Sequence, residues 1–239
     1  MNRISCLLVL TLAAACGSSG NSQVALSARA GTAASTAATA TGQQAQPLDL
    51  GNGIILTRVR VVLSEVKLEG TASTDAGTGD EVEFKSDPVL LDLSGASLGG
   101  GTTQQITLSS VKPGTYREIK FKIHKPSASD TGVSADAGLA AMANQGFSII
   151  VDGTIDGAQF TFNSAVDAQQ QAEGTFNFSD GNHALTLNLD ATTWFGATRA
   201  SRLDPRNPSG TVRSQIENNI QKSFKAFQDD DHNGREDHS

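Results

Sequence analysis

The sequence predicts a mainly β protein, an antiparallel β-sandwich that carries one amphipathic helix near its C-terminus. Three observations support this fold class. Apolar and polar residues alternate with a period of two in several short runs, which is the pattern of strands with one buried face. Turn-forming residues separate these runs, and the chain has 24 glycines among its 239 residues. Helical periodicity does not recur between the strands, so a parallel α/β arrangement is not indicated.

The first fifteen residues have the order of a cleaved export signal. Arg3 supplies a positive charge, residues 4–12 form a short apolar run, and small residues follow. Such a run is too short to span a bilayer, which takes about 20 apolar residues. The segment Leu12-Ala13-Ala14-Ala15-Cys16 resembles the lipobox of bacterial lipoproteins, with Ala13 where that motif usually has Leu. The resemblance implies that Cys16 is lipidated and begins the mature protein. The alternative is an ordinary secretory signal with a Cys near its cleavage site.

Cysteine usage agrees with an anchored protein. Cys6 lies inside the apolar run, so cleavage leaves Cys16 as the single thiol of the mature chain and no internal disulfide can form. Two or three acyl chains hold a protein durably at a membrane. We therefore expect a lipid-anchored protein of the cell envelope. Because Gly17 replaces the Asp that often retains lipoproteins at the inner membrane, the outer membrane is favoured in a Gram-negative cell.

Composition divides the rest of the chain into a tether and one domain. Residues 16–47 are mostly Ala, Ser, Thr, Gly and Gln and are predicted to be a flexible tether. Residues 48–195 are predicted to form the sandwich, residues 196–227 a loop and a helix packed on it, and residues 228–239 an acidic tail. Removal of the signal takes away one Arg and no acid, which changes the net charge from −7 to −8. An acidic chain without a basic cluster is not expected to bind nucleic acid, because phosphates demand Lys and Arg.

The strands of the sandwich follow from the alternating pattern. The first long run is interrupted near Ser64 and Glu65, where we expect a bulge or a turn. Leu139 and Met142 stand at helical spacing and indicate a short helix between two strands. The strands predicted before that helix are residues 56–68, 88–93, 104–111 and 116–125, and residues 75–83 are predicted to be an acidic surface loop.

Two hairpins are predicted after the short helix. Asp156-Gly157 separates residues 147–155 from residues 158–166, and this dipeptide suits a two-residue turn that needs positive φ. Ser-Asp-Gly-Asn at residues 179–182 separates residues 175–178 from a second alternating run at residues 184–190.

A family resemblance surrounds Pro113-Gly114-Thr115-Tyr116. Together with residues 59–68 and residues 89–93, this segment resembles an uncharacterised domain of bacterial surface lipoproteins, and similar strands occur in transthyretin-like and carboxypeptidase-regulatory-like sandwiches. The resemblance covers about residues 50–195. It implies a prealbumin-like or immunoglobulin-like sandwich without an established activity, and it supplies no catalytic residues.

Apolar residues near the C-terminus recur at steps of three and four, which predicts an amphipathic helix over residues 212–227. They are Val212, Ile216, Ile220, Phe224 and Phe227.

The acidic residues that follow match the first part of a calcium loop of the kind found in EF-hands and dockerins. In such a loop, oxygen ligands at alternate positions converge on the cation and a Gly allows the sharp turn. Position twelve, normally a bidentate Glu, would be residue 240, so we expect weak Ca²⁺ binding with a Kd of about 10⁻⁴ to 10⁻³ M. The alternative is a solvated acidic tail. The predicted metal ligands are Asp229, Asp231, Asn233, Arg235 through its carbonyl, and Asp237, with Gly234 at the turn.

Other residues are given structural interpretations. His232 and His238 offer a less specific alternative, a transition-metal site within the tail. Trp194-Phe195 is predicted to be a core anchor, because one Trp in a β domain usually packs against the sheet. His124 and His183 are interpreted as isolated, solvated side chains.

Three classes of function are compatible with these patterns. The favoured one is a non-catalytic binding or structural module on a membrane surface, with a protein or glycan partner that the sequence does not identify. The second is an envelope enzyme whose site is assembled from scattered loop residues, since the sequence lacks G-x-S-x-G, a phosphate-binding Gly loop and H-E-x-x-H. The third is a subunit of a fibre or envelope complex that assembles by strand addition.

Overall fold

A computed structural model describes residues 22–30, 47–72, 81–99, 104–178 and 182–228. It confirms a mainly β fold built from two sheets, one of eight strands and one of four. The predicted signal peptide and lipidation site lie outside the described residues.

The helices and strands follow one another in this order: β1 (Ser22–Ala30), β2 (Leu48–Asp49), β3 (Ile54–Ala72), β4 (Glu81–Lys85), β5 (Val89–Ser94), α1 (Ala96–Gly99), β6 (Gln104–Val111), β7 (Gly114–Ile123), α2 (Ala137–Gln145), β8 (Ile149–Ile155), β9 (Ala158–Ser164), β10 (Ala168–Phe178), β11 (Asn182–Leu189), a 3₁₀ turn (Ala191–Thr193), α3 (Gly210–Gln221) and β12 (Phe224–Gln228).

The large sheet is organised around β3, a strand of 19 residues. Leu63 pairs with both Val89 of β5 and Ile123 of β7, so β5 and β7 must lie on opposite edges of β3. By the same reasoning β2 and β4 share the edge of β5, and β8 shares the edge of β7. β9 pairs with the outer edge of β8, and β10 pairs with the outer edge of β7. The eight strands therefore form a sheet that is only four strands wide.

The bulge expected in β3 is confirmed, because the β3–β7 register shifts between Leu63 and Glu65. Before the bulge Val61 and Leu63 point into the core, and after it Val66 and Leu68 do so. The extra residue changes the parity of the alternation, so both halves of the long strand bury the same face.

β1 corrects the predicted tether. Residues 22–30 lie in the middle of the small sheet, whose order is β12-β11-β1-β6. Val24, Leu26 and Ala28 are fully buried there. The alternation is present in the sequence, but small side chains and an Ala-rich, Ser-rich setting resemble linker composition. The segment is a strand because β6 and β11 pair with its two edges and its apolar face is buried in the core.

The small sheet is also not purely antiparallel. β1 pairs parallel with β11 and antiparallel with β6. A parallel pair needs a long connection, and almost the whole domain separates these two strands in sequence.

The second predicted hairpin is wrong. β10 pairs with β7 in the large sheet, whereas β11 pairs with β1 and β12 in the small sheet. The chain therefore passes from one sheet to the other between residues 178 and 182. A turn signal between two alternating runs indicates that the chain reverses direction there. It does not indicate which strands the two runs pair with.

The predicted C-terminal helix ends early. α3 ends at Gln221, and Phe224 and Phe227 belong to β12. Phe224 pairs with Leu189 at the edge of the small sheet. The spacing between Ile220 and Phe224 fits a helix as well as it fits a strand. Phe224 lies in a strand because its backbone pairs with the edge of β11, which β1 leaves open.

Helix α2 confirms the helix predicted around residues 135–144. It packs on the outer face of the large sheet, where Leu139 and Met142 meet Val62 and Ile150. Asp136 caps its N-terminus by accepting from the Leu139 backbone N–H, and Gly146 ends it in the left-handed conformation.

The predicted core anchor is confirmed, since Trp194 and Phe195 are both fully buried. The prediction of an acidic loop over residues 75–83 is wrong for its last three residues. Glu81–Lys85 form β4 and Val82 is buried, while residues 73–80 lie outside the described residues.

The Asp156-Gly157 hairpin is confirmed. Asp156 has a φ of 50° and Gly157 a φ of 84°, which are the positive values that a type I′ turn requires. We expect Gly157→Ala to destabilise the domain by about 1–2 kcal/mol, because a Cβ in the left-handed region is strained.

Gly210 is the matched control for this substitution. A Cβ at either glycine meets no atom within 4 Å, but Gly210 begins α3 without a positive φ. Gly210→Ala is therefore expected to stabilise the domain by about 0.4–1 kcal/mol. Urea denaturation of both variants measures the difference, and a shared sign would contradict the backbone explanation.

Candidate functional site

The structure does not test the residues predicted to carry chemistry. Cys16, Asp229, Asp231, Asn233, Gly234, Arg235 and Asp237 lie outside the described residues, and so do His232 and His238. One premise of the calcium interpretation is nevertheless wrong. The residues directly before Asp229 form strand β12, so the loop is not preceded by the helix that an EF-hand has.

The outer face of the large sheet carries a polar arrangement that crosses four strands. Glutamates stand side by side in what we name the glutamate row, and lysines form a parallel lysine row next to it. The glutamate row is Glu83 on β4, Glu69 on β3, Glu118 on β7 and Glu173 on β10, and the lysine row is Lys85, Lys67 and Lys120 on the first three of these strands.

Like charges are therefore direct neighbours across the strands, which by itself is destabilising. Contacts between the two rows compensate for this repulsion. Lys67 Nζ lies 2.5 Å from Glu69 and 3.0 Å from Glu83, and Lys120 Nζ lies 2.9 Å from Glu118 and 3.3 Å from Glu69. Each lysine of the two central strands thus bridges two carboxylates.

Glu69 and Lys67, which form the shortest ion pair between the two rows, both have strongly perturbed pKa values. Hydrogen bonds that the Glu69 carboxylate accepts, first from Lys67 and then from Lys120, lower the pKa of Glu69 to about 2. The pKa of Lys67 is raised by its hydrogen bonds to Glu69 and Glu83. At neutral pH the Glu69 carboxylate and the Lys67 ammonium are therefore both charged and attract each other.

The sequence contains a pattern that predicts these rows, but the pattern can be interpreted only when the strand pairing is known. β3 contains Lys67-Leu68-Glu69, whereas its neighbours contain the reverse order, Glu83-Phe84-Lys85 and Glu118-Ile119-Lys120. In antiparallel strands opposite orders align equal residues. The motif predicts rows only once these strands are known to be neighbours in this register.

The glutamate row borders an open cleft of about 550 Å³. Glu81, Arg117 and Thr71 complete its polar wall together with three glutamates of the row, Glu83, Glu69 and Glu118. Because those glutamates are paired with lysines, the cleft is a mixed-charge surface. Among the described residues no group of three or more His, Cys, Asp or Glu side chains is arranged to hold a metal ion.

We expect the contribution of Glu69 to stability to depend on pH. Its folded-state pKa lies below the value of about 4.3 for an unfolded chain. The stabilisation is therefore present above pH 4.3 and lost as the pH falls towards about 2. Glu69→Gln should lower the Tm at pH 7 and have a much smaller effect at pH 2, where the stabilisation is largely lost.

Glu173→Gln is the control, because Glu173 accepts a hydrogen bond from Gln171 rather than from a lysine of the row. Its effect on the Tm should be smaller at pH 7. Thermal unfolding followed by circular dichroism at both pH values makes the comparison. An equal loss for Glu69→Gln at pH 2 and pH 7 would show that the side chain acts through packing.

A second cleft lies where the edge strands β10 and β12 of the two sheets approach each other. It has a volume of about 240 Å³ and a mostly apolar wall that includes Phe121, Leu187 and Phe224. Gln170 closes one side by donating from Nε2 to the backbone oxygen of Gln221 at 2.6 Å. The cleft is the open side of the hydrophobic core.

An arginine cluster holds the Asp156-Gly157 hairpin at the far end of the large sheet. Arg202 donates twice to the Asp156 carboxylate, at 3.0 and 2.7 Å, and Arg199 lies 3.2 Å from it. The pKa of Asp156 is lowered, chiefly by the hydrogen bond from Arg202. Gly53 allows this approach, since a Cβ there would lie 2.6 Å from the Asp156 carboxylate.

The interpretation of two histidines as isolated is wrong. His124 Nδ1 lies 3.1 Å from a carboxylate oxygen of Asp167, and the ring of His183 packs 5.5 Å from the ring of Phe178. Asp190, which directly precedes the 3₁₀ turn, accepts hydrogen bonds from the backbone N–H and the hydroxyl of Thr192.

Comparison with protein-family models, curated proteins and solved structures found no match to this chain. The resemblance to bacterial surface lipoproteins therefore stays a prediction from the sequence. Across the described ranges, none of the helices has both the length and the apolar character that crossing a membrane requires.

Proposed function

We propose that this chain is a lipid-anchored, non-catalytic module of the bacterial cell envelope that displays a β-sandwich at a membrane surface. The observation that carries this proposal is the order of residues 1–16. A basic residue, a short apolar run and three alanines lead directly to Cys16, the single Cys that remains after cleavage.

The fold supports a protein that holds together without disulfides. The main core joins side chains from both sheets, and Trp194 and Ile216 close one end of it. Three glutamates that line the larger cleft are ion-pair partners of lysines, since Lys67 contacts Glu69 and Glu83 and Lys120 contacts Glu118. These ion pairs give the charged residues of the cleft a structural role, and no catalytic role is needed to explain them.

Anchoring is tested by replacing the lipidated residue. Cys16→Ser in the full-length chain should release the protein from the membrane fraction, because no acyl chain can then be attached. Cys6→Ser is the matched control, since Cys6 lies in the segment that cleavage removes. Membrane fractionation and intact-mass measurement of the acylated form give the readouts. Retention of the Cys16→Ser protein in the membrane would reject the proposal.

Calcium binding by Asp229, Asp231, Asn233, Arg235 and Asp237 remains part of this proposal as a weak, stabilising interaction. Its structural context differs from the expected one, because β12 and not a helix leads into the loop. A cation held by these residues would bind directly after the edge strand β12 in the chain.

A further inference from the structure

The position of β1 determines which end of the sandwich faces the membrane. Only residues 17–21 separate the proposed lipidation site from Ser22, the first residue of β1. A fully extended chain gains at most about 3.6 Å per residue, so the first residue of β1 lies within roughly 22 Å of the lipidated residue. The domain is therefore held close to its anchor, not at the end of a tether of thirty residues.

The end of the small sheet that contains Ser22 is defined by strand register. Ser22 pairs with Val111, the last residue of β6, and Gln23 pairs with Asn182, the first residue of β11. β12 runs antiparallel to β11 and ends at Gln228 on this same side.

Two short connections bring the matching end of the large sheet to the same place. Lys112 and Pro113 link β6 to Gly114 at the start of β7, and residues 179–181 link Phe178 at the end of β10 to β11. Gly114 pairs with both Phe178 and Ala72, so the three strands end together. We name this the anchor end of the sandwich.

The opposite end is formed by the Asp156-Gly157 hairpin. β3 runs from Ala72 at the anchor end to Ile54, which pairs with Ile155 beside the hairpin. Nineteen residues at about 3.3 Å each separate the two ends by roughly 60 Å. This distance is much greater than the reach of residues 17–21.

Charge argues against an orientation in which the outer face of the large sheet lies on the bilayer. The outer face of the large sheet carries the glutamate and lysine rows and further ion pairs such as Arg60–Asp152. Burying such a face against lipid would remove water from many charges.

We propose that the anchor end is a membrane-facing surface that contacts lipid headgroups, and that the Asp156-Gly157 hairpin with its arginine cluster is displayed away from the bilayer. The proposal rests on the lipid-anchored function proposed above. It also places Gln228, the last residue of β12, on the membrane side.

Single-cysteine labelling tests the orientation, because acylation leaves the native protein without a free thiol. A fluorescent donor is attached to Lys112→Cys at the anchor end or to Gln159→Cys beside the hairpin, both of which are exposed positions. The acylated full-length protein is reconstituted into phosphatidylcholine vesicles that contain a headgroup-labelled acceptor lipid. Energy transfer should be severalfold more efficient from position 112 than from position 159.

An inserted linker supplies the second arm. Twenty Gly and Ser residues placed between positions 21 and 22 should reduce transfer from position 112, and Arg117→Cys provides another anchor-end label if the first variant folds poorly. Equal transfer from both ends, or transfer that the linker leaves unchanged, would overturn the proposal. Intact mass separates this outcome from failure of the proposed function, since an unacylated protein rejects the anchor itself.

Discussion

Removal of β1 is expected to unfold the sandwich. A soluble form that begins at residue 22 should show a cooperative unfolding transition, whereas one that begins at residue 31 should not. β1 lies between β6 and β11, so its loss leaves backbone donors and acceptors unpaired on both strands and uncovers the core that Leu26 fills. Circular dichroism and urea denaturation of the two forms make the measurement.

A single substitution gives the graded version of this test. Leu26→Ala should lower the free energy of unfolding by about 2–5 kcal/mol, the usual cost of a large cavity in a packed core. Ala25→Ser on the same strand is the control, because Ala25 is only partly buried and the change is small. If the form that begins at residue 31 were as stable as the longer one, residues 22–30 would be a tether after all.

Trp194→Ala is expected to cost about 3–5 kcal/mol of stability. The indole is fully buried and is among the largest buried side chains of the described core. Its Nε1 donates a hydrogen bond of 2.7 Å to Ser223 Oγ in the turn before β12. The residue therefore fills the end of the core and joins the 3₁₀ turn to the last strand.

Two further variants separate these contributions. Ser223→Ala leaves the ring in place but orphans its N–H, which should cost about 1–3 kcal/mol. Trp194→Phe retains part of the packing and frees Ser223, whose hydroxyl still donates to the Ile220 carbonyl. Denaturation is followed by circular dichroism because Trp194 is the only Trp. A near-neutral Trp194→Ala would contradict its role as a core anchor.

Much of the secondary structure could be predicted from local patterns. The bulge near Ser64, helix α2, the Asp156-Gly157 hairpin and the buried Trp194 all agree with the structure, since each depends on neighbouring residues or on size and polarity. The errors share one origin. Residues 22–30 and Phe224 become strands only because distant strands offer them an unpaired edge.

The surface chemistry shows the same division. The sequence contains the Lys-x-Glu and Glu-x-Lys pairs, but the glutamate and lysine rows exist only because antiparallel register places equal residues side by side. The low pKa of Glu69 is caused first by Lys67, its neighbour on β3, and Lys120, which is far from it in sequence, lowers it further from the paired strand β7. Such a site cannot be predicted before the pairing of the strands is known.

The sequence by itself determined the period of the strands, the turn at Asp156-Gly157 and the prediction that Cys16 anchors the chain, because each is a property of a few adjacent residues. Only the tertiary structure decided which strands are neighbours, and with that the inclusion of β1 in the core. The physical reason is that a β-strand is completed by hydrogen bonds to other strands, and these partners lie up to the length of the whole domain away. This pairing changes the meaning of the anchor, since it places the sandwich within a few residues of Cys16.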